Sequence, residues 1–356
     1  MPDNELQIHL LDVTYGDSIV VWFPDGKVGL VDCATSERDP KDRVPVLSWL
    51  EKNGIDTLEF VCLTHPHLDH FAGMVDLLKS VRVKQFWHTV DNVHLLMLAT
   101  SRAEGLASLS LLRESFAEMH RRLSEVFHAV YDRSGSMRIR RVSSKSDPFF
   151  RAGEVTITAL APQDMDVEYF EKKVREDFDA GLVGKDKSAF NRISAVLLIE
   201  WNGVKVVLGG DAPAGVWRRI RESSAQAARK DLDRSWNVMK VGHHGASDCF
   251  FPQMWSHFLA TSGADLVVSS DGVTHPSAAF LSSRRDMDRV YCTRRAPSCC
   301  GPSFGRNARL VLSFAERRAV PKGMPCAGKV TVVIDANGRV EVRPQFPSPK
   351  LGCHAP

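Results

Sequence analysis

The segment His65-Pro66-His67-Leu68-Asp69-His70 constrains this chain more than any other. Three histidines and a carboxylate stand within six positions, directly after the apolar run Leu58–Leu63. With 13 histidines in 356 residues, chance would produce such a pattern on the order of once in a thousand chains. Imidazole and carboxylate are the ligands that zinc-like metals prefer, and they also suit manganese or iron. A loop, unlike a helix, lets near neighbours in sequence point at two different ions. The alternative, a solvated His-rich turn, has only that small chance to recommend it.

Composition bounds the setting. A length of 356 residues allows one large domain or two smaller ones. Hydrophobic residues at 44% and charged residues at 25% exclude a disordered, collagen-like or disulfide-stapled chain. No apolar run approaches the ~20 residues that cross a bilayer, so a membrane-spanning role is not expected. The acidic start Met1-Pro2-Asp3-Asn4-Glu5 lacks the basic-then-apolar layout of a secretory leader and points to the cytoplasm. Eight cysteines contain no CxxC pair, which speaks against a zinc finger or a disulfide framework. Most read as buried small hydrophobes, with Cys299-Cys300 a candidate exposed turn. The net charge of +3 permits a nucleic-acid partner without demanding one.

Alternation predicts early strands at Leu6–Leu10, Ser18–Phe23 and Val28–Val31, then a helix over Val44–Asn53 and a buried strand at Leu58–Leu63. From about Thr100 to Tyr131 the pattern becomes helical. Leu109, Leu112, Phe116, Met119, Leu123, Val126 and Val130 form a heptad-like seam, which reads as packing on the main body, as a dimer contact or as a lid. Arg133–Arg151, basic and Ser-rich, reads as a loop, and Val167–Phe178 as a second helix of the same insertion. Strands resume at Ser194–Trp201, Val204–Leu208, Val238–Val241, Leu266–Ser269 and Val290–Thr293, with a helix at Ala214–Arg221. A hairpin closes the series, Lys329–Ile334 with Arg339–Val342. The expected architecture is mixed α and β, one domain with a helical insertion at about 95–180.

The His65–His70 segment resembles the HxHxDH signature of the metallo-β-lactamase superfamily. More narrowly, the chain resembles the soluble hydrolase domain of ComEC-type DNA-uptake proteins. Leu10–Ile19 is similar to that group's first strand and turn, and Val31-Asp32-Cys33-Ala34 stands in the place of its I-D-T-G. Asn191–Leu197, Leu208-Gly209-Gly210-Asp211, Val241-Gly242-His243-His244-Gly245 and Thr274-His275-Pro276 follow in family order. The resemblance implies a four-layer αβ/βα sandwich with two divalent metal ions, zinc or manganese, at one edge of the sheets. It implies that His65 and His67 bind one ion, Asp69 and His70 the other, that Asp211 bridges them, and that His275 completes the second site. That group lacks the usual ligand histidine between the loop and the bridging aspartate. His244 or His243 is therefore the candidate for the vacant place at the first ion, the other touching substrate or donating a proton. Asp32 reads as an acceptor that orients a ligand histidine, or as a plain strand-end turn residue. Asn191 and Ser194 lie near the metals or cap a strand.

The function implied is a metal-dependent phosphodiesterase acting on DNA, because two such ions can hold a hydroxide at neutral pH and stabilise phosphoryl charge. Two alternatives stand beside it. One is a hydrolase of a small phosphate ester, cyclic nucleotide, thioester or lactam; the other is a metal-stabilised partner subunit without turnover. The basic clusters Arg138-Ile139-Arg140-Arg141, Arg218-Arg219 and Arg284-Arg285 read as solvated faces or as a track for a nucleic-acid backbone.

Overall fold

The computed structural model describes residues 4–13, 15–36, 43–93, 114–144, 148–179, 188–226, 234–272, 274–283, 289–294 and 328–345. Leu109 and Leu112 of the seam, His94, Arg284-Arg285 and Cys299-Cys300 lie outside them. In chain order the strands are β1 Leu6–Leu10, β2 Ile19–Trp22, β3 Val28–Val31, β4 Thr57–Leu58, β5 Phe60–Leu63, β6 Arg82–Val83, β7 Gln85–His88, β8 Arg138–Arg141 and β9 Phe150–Ala152. They continue as β10 Val155–Ala161, β11 Val196–Trp201, β12 Val204–Leu208, β13 Val238–Lys240, β14 Asp265–Val268, β15 Val290–Cys292, β16 Val330–Ile334 and β17 Val340–Pro344.

Two large sheets result. One runs β17-β16-β1-β2-β3-β5-β7-β8 and the other β15-β14-β13-β12-β11-β10-β9. Period-two alternation sorts their side chains into separate layers. Ile19 and Val21 of β2 join Leu197 and Ile199 of β11 between the sheets. Val20 and Trp22 face outward, onto a core that includes Val46 and Leu50 of the helix Pro45–Lys52. Val196 and Leu198 face the other way, onto Val216, Trp217 and Ile220 of the helix Ala214–Gln226. Three apolar slabs thus separate helix, sheet, sheet and helix, the four-layer α/β sandwich expected. Among the described residues no helix is long and apolar enough to cross a membrane.

The stretch expected to be a helical insertion does more than pack outside. Its helices stand at Glu114–Tyr131 and Asp164–Asp179. Met119, Leu123, Val126 and Val130 of the seam turn inward onto the first sheet's outer core. Arg133–Arg151, expected as a loop, supplies β8, which pairs in parallel with β7 from Gln85↔Arg138 to His88↔Arg141. β9 and β10 extend the second sheet, with β10 antiparallel to β11. The basic composition of β8 is what a sheet edge carries to discourage further pairing. Cys33, Cys62, Cys249 and Cys292 are buried thiols.

Candidate metal centre

Strand ends from both sheets converge on one place. β5 leads through Thr64 into His65 and His67, and the short helix Leu68–Phe71 carries Asp69 and His70. Asp32, just past β3, adopts a left-handed φ of 60° and is fully buried. Its carboxylate accepts from Thr64 N at 2.8 Å, Thr64 Oγ1 at 2.7 Å and His70 Nδ1 at 2.7 Å. With Nδ1 so engaged, His70 presents Nε2 to Asp211 Oδ2 at 3.4 Å and to Asp69 Oδ2 at 3.7 Å.

Asp211 arrives from β12 through Gly209-Gly210. A positive φ of 49° at Gly210, where a Cβ would lie 3.0 Å from Ala195 O, turns the chain into the site. Ser194 Oγ accepts from Asp211 N at 3.2 Å. From β13 comes the turn Gly242–Gly245, in which His243 (φ 45°) and His244 (φ 52°) are both left-handed. Consecutive non-glycine residues in that region are strained, and such strain gathers at functional sites. His244 Nδ1 donates to Ser269 O at 2.9 Å, which leaves Nε2 at 3.4 Å from Asp69 Oδ2 and 3.5 Å from Asp211 Oδ1.

Among the described residues, three groups of side chains that could hold an ion emerge, His65-His67-Asp211, Asp69-His70-Asp211-His244 and Asp17-Asp32-His70, each with ligand atoms within 4.8 Å of one another. The third is spanned by the Asp32–His70 hydrogen bond, and Asp211 belongs to the other two. Oδ2 of Asp211 lies 3.7 Å from His65 Nε2 and 3.4 Å from His70 Nε2, so it stands between these two groups. The placement of two histidines differs from expectation. His244 stands with Asp69 and His70, not beside His65 and His67, because its turn follows β13 and approaches Asp211 from the Oδ1 side. His275 is in neither group; its ring is 5.9 Å from that of His243 and 6.3 Å from that of His244. His243 sits at the rim, with Nδ1 on Asp248 Oδ1 at 2.8 Å and Nε2 facing the Asn191 amide nitrogen at 3.2 Å. Because that amide donates, the ring is best assigned as donating from Nδ1 and accepting at Nε2.

The donor set fits divalent ions. Buried His70 Nε2, His244 Nε2 and Asp211 Oδ1 have no hydrogen-bond partner among the described residues. Leaving such atoms unsatisfied is costly, and a cation in the group Asp69-His70-Asp211-His244 would satisfy all three. Without ions the charges fall on the ligands themselves. Burial alone would depress His70, but Asp211, Asp32 and Asp69 raise it well above the usual histidine range. His244 is raised in the same way by Asp211 and Asp69 against burial. His65 is driven well down by burial and by the neighbouring His70 and His67. Burial would raise Asp69, yet His70 and His244 bring it down to about 2.

Three neighbours of this centre escaped the sequence reading. Tyr15 sets its ring 5.7 Å from that of His244 and is 47% exposed at the mouth. Asp17 and Lys240 form a buried ion pair beneath the ligands. A lysine inside the apolar run Val238-Met239-Lys240-Val241 was the available signal. Gly16 between Tyr15 and Asp17 cannot be replaced without disturbance, since a Cβ there would lie 1.7 Å from Asp69 O.

The metallo-β-lactamase superfamily model matches residues 11–234, and the chain belongs to that superfamily. The His243-His244 turn lies beyond the matched residues. A hydroxyacylglutathione hydrolase of Ectopseudomonas mendocina (strain ymp) is 40% identical over 62 residues, 16% of this chain and 24% of that protein. One of Legionella pneumophila (strain Lens) is 32% identical over 66 residues, 18% of this chain and again 24% of its relative. The chain thus spans about a quarter of the length of these curated relatives. Among solved structures, a diphosphatase from the PhnP family is 10% identical with a TM-score of 0.38, covering 82% of this chain and 95% of that one. An archaeal superfamily protein from Sulfolobus tokodaii is 13% identical with a TM-score of 0.29, over 60% of this chain and 66% of that one.

Proposed function

We propose that this chain is a dinuclear metal-dependent hydrolase that cuts phosphodiesters, with nucleic acid as its substrate class. The observation that carries the hydrolase reading is Asp211, a member of two groups of ligands at once, with Oδ2 near both His65 and His70 and Oδ1 near His244. His65, His67 and Asp211 would hold one ion, and Asp69, His70, Asp211 and His244 the other. Nitrogen and oxygen donors without thiolate suit zinc or manganese. When bound, such ions supply Lewis-acid stabilisation of phosphoryl charge and a water nucleophile at neutral pH. The protein's own part is orientation. Asp32 and Ser269 O fix the rings of His70 and His244 so that Nε2 faces inward. His243, donating at Nδ1 to Asp248 and accepting at Nε2 from Asn191, would contact substrate at the rim. The ComEC-type resemblance supports a nucleic-acid substrate, and the aligned hydroxyacylglutathione hydrolases support hydrolysis as such.

A specific observation favours a second reading, a small-molecule ester. Three of the arginines that could form a nucleic-acid track are already engaged. Arg140 lies 3.9 Å over the Phe149 ring, Arg141 pairs with Asp91 at 3.0 Å, and Arg219 pairs with buried Asp166. Cleavage of labelled single- and double-stranded DNA and of a small phosphodiester, with zinc or manganese added, separates the two. Asp69→Asn is expected to lower either activity at least a hundredfold. Turnover of the small diester with DNA untouched selects the second reading. No turnover of any ester by protein carrying two ions would overturn both and favour a non-catalytic subunit.

A further inference from the structure

Lysine is rarely buried without a partner, and Lys240 is 1% exposed. Its ammonium pairs with the Asp17 carboxylate, donates to Gly210 O at 2.9 Å and lies 3.9 Å from Asp211 Oδ1. The grip therefore takes in both the carbonyl just before Asp211 and the oxygen of Asp211 that faces His244. Asp17 is also 1% exposed. Its N–H donates to Asp69 O at 3.2 Å, and its carbonyl accepts from Ala34 N at 3.0 Å. Its carboxylate stands 4.0 Å from the Nδ1 atoms of both His70 and His244. One ion pair thus braces the metal loop, the strand end that bears Asp32 and the strand end that bears Asp211.

Charge arithmetic supports a fixed role. Among the described residues Lys240 is the cation that meets both Asp17 and Asp211, so it offsets part of the negative charge that Asp17, Asp32, Asp69 and Asp211 bring together.

We propose that the Asp17–Lys240 pair is a positioning device that holds Asp211 between the two ligand groups and so sets the affinity of the group containing His244. This rests on the dinuclear reading given above. Because the pair is neutral as a whole, removing both charges leaves the long-range field on the ions nearly unchanged and deletes the clamp. Removing Lys240 alone would strand a buried carboxylate and destabilise the fold.

The test is calorimetric titration of the metal-free full chain with zinc, and separately with manganese, for wild type, Asp17→Asn/Lys240→Met and Lys240→Arg. Thermal melting of each metal-free form runs alongside. The wild type should take up two ions. The double variant should keep its metal-free fold and bind the first ion as before, while the second weakens at least tenfold, the range seen when partners of metal ligands are removed. Lys240→Arg, which keeps the charge and its donors, should recover part of that loss. The proposal is overturned if the double variant binds both ions as the wild type does, or if both weaken equally alongside a lowered melting temperature. Should the double variant not fold, Lys240→Arg decides: a second ion bound as tightly as in wild type, with Arg unable to match the Gly210 contact, overturns the clamp. A wild type that takes up fewer than two ions would instead sink the dinuclear reading, whatever the variants do.

Discussion

Asp32 shows how much of this site depends on a residue that need not touch an ion. Its carboxylate accepts three hydrogen bonds, two from Thr64 and one from His70 Nδ1. Burial pushes its pKa up, while the His70 ring and the Thr64 N–H oppose that rise. An asparagine keeps the size but has one acceptor oxygen, so its amide group must confront either Thr64 or the His70 N–H. The His70 ring then loses the bond that fixes its tautomer and aim. Asp32→Asn is expected to weaken metal binding ten- to a hundredfold, with most of the fold retained. A zinc titration paired with urea unfolding checks this. Unchanged affinity would mean that the His70 ring is held by packing alone.

At the scale of elements, the helix Glu114–Tyr131 is the clearest case of a pattern that the structure uses. Leu123 is 1% exposed and Val126 fully buried against the first sheet's outer core. Leu123→Glu would place a carboxylate in that core, at a cost of roughly 3–5 kcal/mol. Urea unfolding should show the loss directly, and a stable protein of altered mass would instead place the seam between two copies. That seam was legible because heptad spacing is local. β10 carried a local signal too, since Val155, Ile157 and Ala159 alternate with Thr156 and Thr158, but flanking helical patterns masked it. β8 offered none, because Arg138-Ile139-Arg140-Arg141 has the composition of a loop and becomes a strand only by pairing with β7. The same division runs through the site. His65–His70 and Asp211 are readable because each sits in a compact motif at a strand end. The Asp17–Lys240 pair is not, because only the meeting of the two sheets brings its members together. The choice between His243 and His244 likewise needs the backbone, since one turn sets the His244 ring against Asp69 and Asp211 and the His243 ring against Asp248 and Asn191.

For the molecule as a whole, acid stability follows from histidines that stay neutral inside it. Burial lowers His9 to about 3, with Lys329 adding to the effect, and lowers His88 and His120 to about 4. In the unfolded chain each would titrate near the ordinary histidine value, about 6.5. As pH falls below that, the unfolded state takes up protons that the folded state refuses, so stability drops with acidification. Each such histidine contributes fully above about pH 6.5, and its contribution is lost progressively on the way down toward 3 or 4. His70 and His244 act oppositely in metal-free protein. Their raised folded values make their contribution complete below about 6.5 and lost as pH rises past the folded values. Between pH 6.5 and 4.5 the downward slope therefore belongs to His9, His88 and His120 together with His65 and His275, which are lowered too, apart from any carboxylates. His120→Gln removes one of these without adding charge. It should reduce the dependence of unfolding free energy on pH in that window by up to about 1.4 kcal/mol per unit. Urea denaturation of metal-free protein at several pH values measures it. An unaltered slope would mean that the His120 ring takes up its proton in the folded protein as readily as in the unfolded chain.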